Sequence, residues 1–278
     1  MHANITVGGQ DYRIDLSHPI DISVPLDFDG PQPNAYGIPA ASMVPFRAGD
    51  FVGSVARGGS VNCFTLTLTP HGNGTHTETA SHITSAFLPI GRTLIESFLA
   101  ASVITVEITE LKASMETYTG GVEGDAVVTR AGLEEGWAAL GRDPTWLEAL
   151  VIRTLPNHEG KKRASYSNQN PAYLTAEAMR WVRERGVRHL LVDLPSVDRE
   201  EDAGRLINHR VFWGFEPDAE VLDEPDPDAS RSTITELIMV GNHIADGFYI
   251  LNLQVPDLVT DAAPSRPRLF EAKRWPMG

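Results

Sequence analysis

The chain has 278 residues, 42% hydrophobic and 22% charged, enough to bury a substantial core as one large domain or two small ones. A formal charge of −14 and a pI near 5.0 exclude the Lys/Arg patches that nucleic-acid phosphates demand, and disfavour an anionic membrane surface. The single cysteine, Cys63, excludes an internal disulfide and fits a reducing compartment.

The N-terminus Met1-His2-Ala3-Asn4 has no basic segment and no long apolar run, so no signal peptide is expected. No apolar stretch approaches the ~20 residues that span a bilayer. A cytoplasmic protein is therefore expected. Ile5 to Val7 and Tyr12 to Ile14 flank Gly8-Gly9-Gln10-Asp11 and predict a hairpin. Residues 26–60 are rich in Gly, Pro and Ala with little periodicity, an irregular excursion suited to covering a site. Phe64-Thr65-Leu66-Thr67-Leu68-Thr69 alternates apolar and Thr, which predicts a half-buried strand. Ala101 to Ile108 predicts another strand.

In the centre, Thr129 caps a predicted helix running to about Leu140 and stopped by Gly141. Leu150 to Thr154 reads as a buried strand. Thr175 to Arg185 reads as a helix ended by Gly186, and Val187 to Leu194 as a second strand. This β-loop-α-β unit predicts parallel pairing. Residues 213–232 carry a run of Asp, Glu and Pro and read as a solvated acidic insertion. Residues 233–255 return to strand-like composition. No repeat is visible, and the expectation is a single α/β domain over residues 1–278 with a mixed sheet.

Three of the nine histidines fall within residues 71–82, in His71-Gly72-Asn73-Gly74-Thr75-His76-Thr77-Glu78-Thr79-Ala80-Ser81-His82. His76, Glu78 and His82 share parity. In extended chain, all three point to one face. Two imidazoles and a carboxylate on one surface suit a divalent ion of the zinc, manganese or iron type. The plain alternative is a polar loop with solvated histidines.

The segment resembles the signature of the cyclase-like metal hydrolases, the group that includes bacterial kynurenine formamidase and isatin hydrolase. That signature is His-x-Gly-Thr-His-x-Asp-x-Pro-x-His. Asp15-Leu16-Ser17-His18-Pro19-Ile20 resembles the family's opening strand, and Val151-Ile152-Arg153-Thr154 its central one. Asp193-Leu194-Pro195-Ser196-Val197-Asp198 followed by His209, Ile234-Thr235-Glu236-Leu237, and Asp261-Ala262-Ala263-Pro264-Ser265-Arg266 resemble later pieces in the same order. The resemblance implies a swivelling β/β/α-type fold and a homo-oligomer, dimer or tetramer. It makes His76 and Glu78 metal ligands, His82 the acid/base, and His209 and Glu236 further candidate ligands. The implied cofactor is zinc or manganese. The implied reaction is hydrolysis of an amide, formamide or cyclic amide in a small-molecule substrate.

The chain departs from the signature. Gly72 stands where the family has its first ligand His. His71 is adjacent but has the wrong parity for a flat strand, and a bulge at Gly72 would swing it inward. Glu78 replaces Asp, and Ala80 replaces Pro. The interval from His209 to Glu236 is longer than the family's, which favours one metal over two. Asp193 and Asp198 are candidate partners for a His, or plain turn carboxylates. Trp213, close after His209, is a candidate pocket residue, whereas Trp137, Trp146 and Trp181 read as core. His158 and His243 read as loop or turn residues and His189 as a core or edge residue. Two rival readings stay open: an iron(II) oxygenase with a His76-x-Glu78…His209 triad, and a binding protein on a degenerate hydrolase scaffold.

Overall fold

Three apolar runs build the centre of the fold. The structure, a computed structural model, describes residues 1–275. In Phe98–Glu107, Ala149–Leu155 and His189–Val192, alternate side chains enter two different cores. Ile104, Leu150, Ile152 and Leu190 join one core, and Val103, Ala149, Val151 and Leu191 the other. A strand buried on both faces needs apolar residues at nearly every position, so the sequence shows runs and not alternation. These strands pair in parallel, with Thr233–Glu236 added as a fourth. The parallel pairing expected of the β-loop-α-β unit is present.

The outer strands are antiparallel. Gly247–Asn252 lies beside Phe98–Glu107, then come Arg268–Arg274 and the hairpin of His2–Val7 and Gln10–Asp15. Gly8 and Gly9 both take positive φ, 56° and 78°, as a two-residue hairpin turn with right-handed twist requires. On the other side, His76–Glu78 pairs with Thr233–Glu236, and Ala262–Pro264 closes that edge. Among the described residues this mixed sheet has 11 strands, and the chain is α/β as expected.

Two helices cover one face. Thr129 caps Arg130–Ala139 by accepting from the Gly132 amide, and Thr175 caps Ala176–Glu184 by accepting from that of Ala178. Their buried faces set Leu133, Trp137, Met179 and Trp181 against the sheet. No helix among the described residues is long and apolar enough to cross a membrane.

Two expectations need correction. Phe64–Thr67 is a strand, but all four residues are exposed. Among the described residues it pairs only with Ser42–Pro45, in a two-stranded arm apart from the main sheet. The Thr/apolar alternation therefore marks no core. The acidic insertion is not free in solvent either: the Ser85 and Ala86 amides donate to the carbonyls of Leu222 and Asp223. Asp226 also accepts from Arg183 at 2.9 Å.

Trp146, fully buried, clamps the hairpin to the sheet. Its ring meets Tyr12 edge-on at 5.0 Å and stacks on Phe248 at 5.4 Å. Trp146→Ala is expected to cost about 3–5 kcal/mol, read from the urea unfolding midpoint. A loss below ~1 kcal/mol would mean that the hairpin is held by something else.

Candidate metal centre

The strand His76–Glu78 is the floor of the site. Pleating puts His76 and Glu78 on one face. Its register sets Glu236 directly across from His76, so three donors share that face through backbone pairing alone. All three are buried.

The fourth donor comes from a helix. Asp198 accepts from the main-chain amides of Asn208 and His209, at 2.7 and 3.2 Å, and so caps Ile207–Phe212. The same carboxylate takes His209 Nδ1 at 2.5 Å, which turns Nε2 toward Glu78 Oε1 at 2.8 Å. Tyr118 steadies Asp198 with a hydroxyl donated at 2.8 Å. Trp213, the candidate pocket residue, is fully buried and packs in the main core cluster. Its ring lies 5.6 Å from that of His209, and its indole N–H donates to the Ser232 carbonyl.

His71 reaches the site by a turn, not a bulge. Pro70–Gly72 is a single 3-10 turn, closed by the Gly72 and Asn73 amides on the Thr69 carbonyl. The turn swings His71 Nδ1 to 2.9 Å from Glu78 Oε2. A Cβ on Gly72 would stand 2.5 Å from Ile38 Cδ1, so a side chain there requires Ile38 to move. His82 also arrives differently from expectation. The strand ends at Glu78, and His82 closes the 3-10 turn Ala80–His82, capped by Thr79, which accepts from the Ser81 amide. Shared parity with His76 is therefore not what brings it in. Its ring stacks on His71 at 4.1 Å and lies 5.3 Å from His209.

Two residues escaped the sequence reading. Asp261, just before Ala262–Pro264, holds His71 Nε2 at 2.7 Å. Tyr36 comes from the irregular excursion. Its segment is pinned by Ala35 N–H on the Gly72 carbonyl and Gly37 N–H on Ser167 Oγ. Its φ of 58° is a strained value for an aromatic residue. Although 43% of the residue is exposed, desolvation at its hydroxyl end and the neighbouring Glu236 raise its phenol well above the usual range, despite the Ser196 hydroxyl beside it. Positive φ has no reliable sequence signal outside Gly and Asn, which hid this residue. Asp193 is not part of the cluster. It accepts from Lys161 and Thr154, and burial keeps its acidity below that of an ordinary Asp. His189 is a buried core residue, held neutral by burial with its pKa lowered to about 4.

The donor set fits a divalent ion. His76 Nδ1 is tied to the Gly74 carbonyl at 3.0 Å, while its buried Nε2 has no hydrogen-bond partner. Glu78 Oε2, also buried, has only His71 Nδ1 beside it, at 2.9 Å. An unsatisfied buried polar atom is costly, and His76 Nε2 facing into this cluster marks a ligand position. Donor atoms of His71, His76 and Glu78 lie within 4.8 Å of one another, as do those of Glu78, His82 and His209. Glu236 Oε2 is 3.4 Å from His76 Nε2, and Oε1 accepts from the Val197 amide.

Comparison with known proteins gives the family and the fold. The Cyclase family model matches residues 14–199, and the chain belongs to that family. The match spans His71 to His82 and Asp198 but ends before His209, Glu236 and Asp261. Solved structures similar over most of their length include isatin hydrolase A from Labrenzia aggregata bound to benzyl benzoate. It is 16% identical, covers 91% of this chain and 93% of its own, and has a TM-score of 0.59. Another is an isatin hydrolase bound to the product analogue thioisatinate, at 14% identity, 92% and 93% coverage and a TM-score of 0.59. A third is a potential metal-dependent hydrolase with cyclase activity, at 14% identity, 91% and 98% coverage and a TM-score of 0.55. At these identities the likeness shows the fold. No curated protein matches the chain.

Without a cation the groups hold one another charged. Burial works against charge on His71, yet the hydrogen bonds it donates to Asp261 and Glu78 outweigh it and lift its pKa from 6.5 to about 10. Burial likewise opposes charge on Glu78, but His82 and His209 keep it well below the usual range. A metal needs the imidazole lone pair, so it must displace these protons. Zinc uptake near pH 7 should release protons, with affinity rising as pH climbs from 6.5 toward about 10. Calorimetry in buffers of different ionisation heat reads this. Uptake with no proton release at pH 7 would contradict it.

Proposed function

We propose that the chain is a metal-dependent hydrolase of an amide, formamide or cyclic amide bond in a small molecule. The observation that carries this reading is the Glu78 carboxylate, buried with one oxygen beside His71 and the other beside His209. His71, His76 and Glu78 would hold the ion, with zinc or manganese best suited to these nitrogen and oxygen donors. His209 and Glu236 would complete its surroundings. A divalent ion there supplies Lewis acidity, which activates water at neutral pH and polarises a carbonyl.

His82 does the proton work. Its ring stacks on His71, and a nitrogen lies within 4.8 Å of donor atoms of Glu78 and His209. It is about a quarter exposed, so it exchanges protons with water while facing the cluster. A neutral imidazole takes a proton from the attacking water and returns it to the leaving amine. Tyr36 offers a hydroxyl at the mouth of the site to the substrate's oxygen. The isatin hydrolases of similar fold make lactams the first substrates to try.

The oxygenase reading uses His76, Glu78 and His209 and leaves His71, His82 and Glu236 idle. The binding-protein reading leaves the bare Nε2 of His76 without a purpose. A homo-oligomer is supported by the exposed arm, where Val44, Phe64 and Leu66 face solvent from a two-stranded sheet. Such a sheet is marginal unless something packs on it. A cytoplasmic location rests on the lone cysteine.

Metal analysis of the purified chain, with a screen over aryl formamides, isatin-like lactams and small cyclic amides, tests the reading. Absence of metal and of amide cleavage would overturn it. His76→Ala should lose metal and activity together; full metal occupancy in that variant removes His76 from the ligand set. His82→Ala should keep metal and lose activity by roughly 10²–10⁴-fold. Loss of metal there would make His82 a ligand.

A further inference from the structure

The hydrolase reading gives Asp261 no task, yet this carboxylate hydrogen-bonds one imidazole that matters to it and lies near a second. Asp261 Oδ2 is 2.7 Å from His71 Nε2 and 3.8 Å from His82 Nδ1. The two rings lie nearly parallel, 28° apart. The Asp261 main chain is fixed: its carbonyl accepts from the Thr79 amide at 3.0 Å and the Thr79 hydroxyl at 3.2 Å. The next residue, Ala262, pairs with Glu78. The sheet edge thus delivers the carboxylate to the outer side of the cluster.

We propose that Asp261 is a positioning residue that sets the tautomers of His71 and His82 together. The inference rests on the metal-hydrolase reading. An ionised carboxylate only accepts hydrogen bonds, and a neutral imidazole has one N–H and one lone pair. The His71 nitrogen on Asp261 is therefore the N–H. His82 Nδ1, at 3.8 Å, is not hydrogen-bonded to the carboxylate, but the negative charge on that side favours the N–H there. In His71 this leaves the Nδ1 lone pair aimed at the Glu78 side, where the ion would sit. In His82 it leaves Nε2 bare to receive a proton. Asp198 does the same for His209, with Nδ1 on the carboxylate and Nε2 toward Glu78. Carboxylate partners of this kind fix the orientation of metal-binding histidines. Asp261 differs in serving two rings, one on the ligand side and one on the proton-transfer side.

Asp261→Asn in the full chain tests this. Asparagine keeps the main-chain contacts to Thr79 and Glu78 but offers one weaker acceptor oxygen and an N–H donor. Zinc affinity, read by competition with a chromophoric chelator, should fall about 10–100-fold. At saturating zinc, kcat on a cleaved amide should fall by about 10-fold or more while KM holds within about 3-fold. Asp261→Glu keeps the carboxylate and should recover part of both. Circular dichroism and the thermal midpoint of Asp261→Asn should match those of the parent. Wild-type zinc affinity in Asp261→Asn overturns the proposal. So does a loss of affinity with full kcat once zinc saturates, because His82 would then be oriented by something else. If Asp261→Asn misfolds, Asp261→Glu decides: recovery of neither property overturns the role. A parent chain that binds neither zinc nor manganese and cleaves no amide sinks the hydrolase reading and this role with it. That outcome is read in the parent, so it is distinct from failure of the variant.

Discussion

The buried Glu78 carboxylate is the constraint on which the rest depends. A charge taken wholly out of water is expensive unless it is paired and hydrogen-bonded. Here His71 lies on one oxygen and His209 on the other. Each imidazole is held from behind by a second carboxylate, Asp261 or Asp198. The arrangement alternates charge outward from the centre. It also explains why two distant parts of the chain end at one place. The 3-10 turn at Pro70–Gly72 and the helix Ile207–Phe212 each present one imidazole to the same side chain.

Such a cluster is poised between two states. With protons, it is a set of ion pairs that balance internally. With a divalent ion, the protons leave and the same lone pairs turn to the metal. The geometry favours the second. His76 Nε2 has no protein partner, although its other nitrogen is anchored at Gly74. A purely structural network would satisfy that atom, because a half-satisfied buried network costs more than an apolar core.

Much of this was legible in the residues. Continuous apolar runs read as buried strands, and Thr129 reads as a helix cap, since both signals are local. The parity of His76 and Glu78 also survives, because a strand's period is fixed. What failed were inferences about what covers a segment or turns it. Phe64–Thr67 has the pattern of a half-buried strand, but pattern does not say whether a second layer exists. Trp213 was placed near His209 correctly, yet nothing in the spacing says whether its ring faces solvent or core. Asp261 lies 190 residues from His71, and only the pairing of Ala262–Pro264 with His76–Glu78 brings them together.

The departures from the family signature are one structural solution. Ile38 packs where a side chain at position 72 would go, so a ligand His could stand there only by displacing Ile38. Moving it one residue earlier changes its approach, and the 3-10 turn brings His71 in from the Asp261 side of the site. The longer Glu78 then reaches His71 with one oxygen and the helix-borne His209 with the other. An Asp, one methylene shorter, would have to give up one of these contacts unless the strand or the helix moved. Gly72, His71 and Glu78 should therefore be exchanged together when the family's own arrangement is tested in this fold. Single reversions leave a buried donor unpaired and lose stability before they reveal anything about chemistry.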